Sequence, residues 1–260
     1  MGAASSVFDG RLAEWAAYQQ TPWGRIRYAV VRHTLDVVVG DARGLRVLDV
    51  GGGDGRDSLH LAGRGHDVTV LDPSAALLAQ ATAAADVARC NDRFSVVEAG
   101  IDDLRGLDIG EFDLVLCHNV LQYREDLRRS VGAVVAMADS GALISLLCPN
   151  PAAEVLAGVI RGGDPAAALA ALDDATSRSD TFDHEVARID VDAAHSALVG
   201  AGCELVHHFG IRCVTDFVTD DARKDDPDYF AALEALELDL CAREPYLRTA
   251  RFWQLVGRSF

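Results

Sequence analysis

The residues best placed to do chemistry lie in one run, Val47-Leu48-Asp49-Val50-Gly51-Gly52-Gly53-Asp54-Gly55-Arg56. A glycine-rich turn between a strand and a helix lets backbone come very close to a ligand. The helix start behind it offers free N–H groups and a positive dipole end. A further acid, Asp72, ends the next apolar run and stands where a carboxylate can accept both hydroxyls of a ribose. The dinucleotide fingerprint G-x-G-x-x-G is absent, because Arg56 occupies the third glycine position. The spacing is G-x-G-x-G, at Gly51, Gly53 and Gly55, with Asp49 two residues ahead of it. An acid pair, Asp102-Asp103, and His118 follow the next two apolar runs.

These residues need a frame that brings them together, and the pattern around them supplies one. Short apolar runs at 46–50, 67–72, 94–98, 112–117 and 142–147 read as strands. Helical stretches at 54–64, about 73–88 (opened by Pro73-Ser74) and 126–138 separate most of them. Such alternation predicts βαβ units and a parallel sheet covered on both faces. Before it, residues 1–44 read as a helical arm of two segments punctuated by Thr21-Pro22-Trp23-Gly24, a hinge expected to order when ligand binds. After it, residues 149–202 read as a helical insertion, with a polar acidic stretch at 173–190. Residues 203–260 return to strands at 203–209 and 251–256, around an exposed acidic helix at 226–241. The expectation is one α/β domain over 1–260: a doubly wound, seven-stranded, mostly parallel sheet with 45–148 as its ligand-binding core.

With its turn, its acids and the Phe112-Asp113-Leu114-Val115 strand opening, the sequence resembles the class I S-adenosylmethionine-dependent methyltransferases, whose fold is Rossmann-like. It further resembles the bacterial tRNA 5-carboxymethoxyuridine carboxyl methyltransferase group. The matching stretches are Gly24-Arg25-Ile26-Arg27, Arg46 to Gly55, Arg64-Gly65-His66, Cys117-His118-Asn119-Val120-Leu121-Gln122, Gly210-Ile211-Arg212 and Arg243-Glu244-Pro245-Tyr246. The resemblance implies a cofactor held by Arg27, Gly51, Gly52, Asp72, Ile101, Asp102 and His118, with Arg27 folding over the site to pair the cofactor carboxylate. Asp49, Gly53, Gly55 and Pro73 complete the expected cofactor set. Methyl transfer from a sulfonium is an in-line displacement, so proximity and alignment dominate. A carboxylate acceptor is already ionised and needs no base, whereas a hydroxyl or amine often does. His118 is the best base candidate, beside its implied cofactor contact.

Charge bears on the acceptor. The chain of 260 residues carries 40 Asp+Glu against 24 Lys+Arg, a net −16, and its only lysine is Lys224. That excludes a nucleic-acid binder that relies on a broad basic face. The tRNA enzymes of the resembled group have a lysine-rich run in the insertion, whereas residues 164–192 here hold eight acids and two arginines. Phosphate contacts supply most nucleic-acid affinity, so a small-molecule acceptor is expected ahead of tRNA. Arginines instead concentrate at the two chain ends. Arg212, Tyr246 and Arg251 are expected to form a cationic acceptor site under an acidic shell. No metal site is expected, since adjacent His207-His208 on a strand point to opposite faces. The six cysteines show no C-x-x-C spacing and read as reduced core thiols of a cytoplasmic protein. No apolar run reaches the ~18 residues of a membrane span.

Overall fold

The computed structural model describes residues 11–179 and 184–260. The first residues of the expected arm and positions 180–183 of the insertion lie outside them. Seven strands form one sheet: β1 (Arg46–Val50), β2 (Asp67–Asp72), β3 (Phe94–Glu98), β4 (Phe112–His118), β5 (Ala138–Pro149), β8 (Cys203–Ile211) and β9 (Phe252–Ser259). Their order is β3-β2-β1-β4-β5-β9-β8. The five strands from β3 to β5 pair in parallel, and β9 lies antiparallel to both its neighbours. The strand order reverses between β1 and β4, where an open α/β sheet leaves a crevice at its carboxyl ends.

Alternation within β1 decides which way each side chain faces. Leu48 and Val50 join a core with Val115, Cys117, Ile144 and Trp253, on the side of α5 (Leu127–Val135) and α8 (Val191–Gly200). Val47 joins the opposite core with Leu114, Leu116, Ile26 and Val30, the last two from α2 (Pro22–Val39). Asp49 shares the parity of Val47 and therefore points to the α2 side, where Arg27 is. Alongside α2 on that face lie α3 (Leu59–Gly63), α4 (Ala75–Ala88) and α9 (Pro227–Leu240). All six cysteines are buried and unpaired. No helix among the described residues is long and apolar enough to cross a membrane.

The structure departs from the sequence pattern at several places. The helix expected from residue 54 forms only as α3, from Leu59. Gly55 has φ +71°, which a right-handed helix cannot continue through, so residues 54–58 stay in turns. Pro22-Trp23-Gly24 is the first turn of α2. Thr21 caps that turn by accepting the Gly24 N–H at 3.1 Å, with Pro22 at the first helical position. The insertion breaks at Gly162-Gly163 into α6 (Pro151–Ile160) and α7 (Pro165–Ala170). Its polar stretch contains a two-stranded hairpin, β6 (Thr176–Ser179) with β7 (His184–Ala187). The acidic helix α9 buries Phe230, Leu233, Glu237 and Leu240 and is only half exposed.

Candidate functional site

A cavity of about 1400 Å³ opens at the carboxyl ends of β1, β2, β4 and β5. Its floor is the β1 turn. Gly51, Gly53 and Gly55 all have positive φ, at 68°, 55° and 71°, where only glycine is comfortable. Gly52 is required by space: an added Cβ would sit 2.5 Å from the Asp49 carboxyl carbon. The turn is pinned from β2. Leu71 O accepts the Gly51 and Gly52 N–H groups at 2.6 and 3.2 Å. Asp72 accepts the Gly53 N–H on Oδ2 at 3.0 Å and the Ser74 N–H on Oδ1 at 2.8 Å.

Arg27, Asp49, Gly51, Gly52, Gly53, Asp72, Pro73, Ile101, Asp102, His118, Arg212 and Arg251 all line this cavity. Two expected residues do not. Gly55 packs against the sheet, where a Cβ would meet the Phe94 ring at 2.9 Å. Tyr246 is about half exposed on a 3-10 turn and lies away from the cavity. Asp102 is at the exposed rim, with Arg124 Nη2 donating to both its oxygens at 2.6 Å.

Arg27 is buried and committed. Its two Nη groups donate to the two oxygens of Asp57, a residue the sequence reading passed over as helical. His118 Nδ1 lies 2.9 Å from Asp57 Oδ2, and its Nε2 lies 2.9 Å from Ser145 Oγ. Both ring nitrogens thus have partners, and the His118 side chain is 2% exposed. Burial alone raises a carboxyl such as Asp57. The Arg27 charge and the His118 contact outweigh it and hold Asp57 well below the usual carboxylate range. Asp49 shows the opposite. Burial first, and the Asp57 charge second, push its carboxyl up to about 7.

The upper part of the cavity is a chamber roofed by α1 (Leu12–Gln20) and the start of α2, through Trp15, Tyr18 and Trp23. Gln19 Nε2 ties this roof to the floor by donating to Asp54 Oδ2 at 2.7 Å. Arg161 just after α6, Arg178 of β6, Arg212 and Arg251 line its walls with Glu154 and Asp216. Arg212 donates to Asp216 through two nitrogens and to the Tyr18 hydroxyl at 3.1 Å. Arg251 stands 3.7 Å from Glu154, too far for a hydrogen bond. The roof aromatics, Asp57 and the hairpin were missed by sequence reasoning. The aromatic spacing in the arm, Trp15-Tyr18 and then Trp23, was the available signal.

Residues 47–141 match the methyltransferase domain family. Over 92% of the chain and 90% of the relative, the sequence is 26% identical to the Escherichia coli tRNA 5-carboxymethoxyuridine methyltransferase. Magnesium protoporphyrin IX methyltransferase from Synechocystis, solved with bound SAH, shares the fold across 99% of this chain and 98% of its own, with TM-score 0.65 and 16% identity. An S-adenosylmethionine-dependent methyltransferase from Mesorhizobium loti does so over 86% and 95%, with TM-score 0.57 and 21% identity. The seven-stranded class I architecture expected from the sequence is the one observed.

Proposed function

We propose that the chain transfers a methyl group from S-adenosylmethionine to a carboxylate or hydroxyl of a small-molecule acceptor in the arginine-lined chamber. The single observation that carries the reading is the β1 turn with Asp72 beside it, opening directly into that chamber.

The residues present suit the cofactor. The turn presents backbone with no side chains in the way, since Gly51, Gly52 and Gly53 face the cavity. Asp72, a carboxylate at the end of β2, lines the cavity and is the type of group that receives a ribose diol. Buried Asp49 Oδ2 and Asn119 Oδ1 have no hydrogen-bond partner among the described residues, and both residues line the cavity. Such orphaned acceptors fit a ligand that brings donors, as an amino acid ammonium does. When bound, the cofactor supplies an electrophilic methyl on a cationic sulfur. The chain's part is to align and to dry the site. Ile101 and Pro73 form an apolar wall, while Trp15, Tyr18 and Trp23 roof the chamber against water. With both ring nitrogens engaged, His118 supports the site's geometry rather than taking an acceptor proton. That arrangement favours an acceptor that needs no base, a carboxylate. Arg251 and Arg212 are the groups that would hold it.

A second reading is carboxyl O-methylation of 5-carboxymethoxyuridine in tRNA, favoured by the curated relative matched over nearly the whole chain. A third, cofactor binding without turnover, is separated from both by assay. The test is methyl transfer from labelled S-adenosylmethionine to a panel of small carboxylates and hydroxy compounds, beside bulk tRNA. Labelling in the small-molecule panel supports the proposal. Labelling confined to tRNA selects the second reading, and cofactor binding with no labelled product selects the third.

A further inference from the structure

Behind the cavity runs a buried chain of polar side chains that crosses three strands. Thr34 Oγ1 lies 2.7 Å from Gln254 Oε1, and Gln254 Nε2 lies 2.9 Å from Ser145 Oγ. Ser145 Oγ meets His118 Nε2 at 2.9 Å, and His118 Nδ1 meets Asp57 Oδ2 at 2.9 Å. Asp57 then receives both arms of Arg27. Thr34, Ser145 and Gln254 are fully buried, so no water competes for their protons.

The protons in this chain can be counted. Gln254 Oε1 can only accept, and Thr34 Oγ1 lies 2.7 Å from it and 2.9 Å from Val31 O, so the one Thr34 proton is shared between the two acceptors. Gln254 Nε2 can only donate, so Ser145 accepts from it. Ser145 then has one proton of its own, and His118 Nε2 is the partner within reach. A nitrogen that accepts there carries no proton, so the imidazole proton sits on Nδ1 and is donated to Asp57. With the Gln254 amide reversed, Ser145 would donate to Gln254 and accept from His118. Both His118 nitrogens would then need protons, because Nδ1 still faces a carboxylate.

We propose that Ser145 and Gln254 are positioning residues that set the His118 tautomer, so that His118 donates to Asp57 and holds it, together with Arg27, in place at the cofactor end of the cavity. The two side chains act through His118 and touch nothing in the cavity themselves. The inference rests on the proposed cofactor reading for its consequence, and on the hydrogen-bond geometry alone for the tautomer. It explains why two polar side chains occupy the middle of an otherwise apolar sheet, where neither would be kept for packing.

The test is the nitrogen-15 NMR spectrum of histidine-labelled protein near pH 7, with the His118 signals assigned by their loss in His118→Gln. The expected wild-type result is a protonated Nδ1 and an unprotonated Nε2. Gln254→Glu places an acceptor on both sides of the relay, turns the Ser145 proton toward position 254, and is expected to put a proton on His118 Nε2. Ser145→Ala removes the donor and is expected to leave a mixture of tautomers. Each variant is expected to weaken S-adenosylmethionine binding about tenfold in calorimetry, the effect of losing roughly one oriented hydrogen bond. A wild-type His118 with the proton on Nε2, or on both nitrogens, overturns the proposal whatever the variants do. So does a tautomer unchanged in both folded variants. A correct tautomer with no cofactor binding by wild-type protein instead refutes the cofactor reading and leaves the relay standing.

Discussion

Asp49 and Asp57 share one buried region and are perturbed in opposite directions. Asp57 has Arg27 and His118; Asp49 has an unpartnered oxygen and a like charge nearby. An acid raised in the folded chain keeps its proton there while the unfolded chain has lost it. Asp49 therefore costs stability progressively as pH rises from the ordinary carboxylate range to about 7, with the full cost present above that. Asp49→Asn is expected to melt higher than wild type in mildly alkaline buffer, by an amount on the order of a few kcal/mol, and to lose the advantage in acid. Thermal denaturation across pH checks this. Asp57 has the opposite sign: its contribution is present above the ordinary carboxylate range and is lost as pH falls below it. Removing Asp57 alone leaves Arg27 as an uncompensated buried charge, so Asp57→Ala is expected to cost about 3–5 kcal/mol. The double variant Arg27→Met, Asp57→Leu is expected to recover much of that in urea unfolding while cofactor binding stays lost.

Among the elements, the α1–α2 corner decides whether the chamber has a roof. Gly24 sits at the corner, and an added Cβ would collide with the backbone carbonyl of Tyr18. Gly24→Ala is expected to release α1, speed tryptic cleavage within the arm, and leave the melting of the sheet nearly unchanged. Equal cleavage of variant and wild type would show that the corner does not hold the roof. The sequence displayed the turn, Asp72, all seven main strands and the arm's two helices, because each follows from local pattern. Asp57 was hidden because the run after the turn has helical composition. Only Gly55 at positive φ, and the pull of Arg27 and His118 from distant elements, keep that run from forming helix. The relay residues were hidden for a related reason. Thr34 and Gln254 stand 220 positions apart in sequence and meet only once β9 has inserted beside β5. Tyr246 was drawn toward the site by the arginines around it in sequence, yet it does not line the cavity.

At the scale of the whole molecule, charge separates the two acceptor classes. Net −16 opposes a polyanion at long range, while arginines gather inside one chamber. Fluorescence polarisation with labelled tRNA at physiological salt is expected to show no saturable binding. Tight binding with a steep salt dependence would instead favour the tRNA reading. Arg251→Met is expected to raise the KM for a carboxylate acceptor about tenfold or more, as loss of a charged hydrogen bond does, with little change in cofactor affinity. Equal loss of both would remove the acceptor role. Beneath these questions lies the claim that the β1 turn and Asp72 hold S-adenosylmethionine, and calorimetric titration tests it most directly. The account predicts saturable one-to-one binding to the wild-type protein and its loss in Asp72→Ala, with the variant still folded. Wild-type protein that shows no heat of binding with either S-adenosylmethionine or S-adenosylhomocysteine would contradict it.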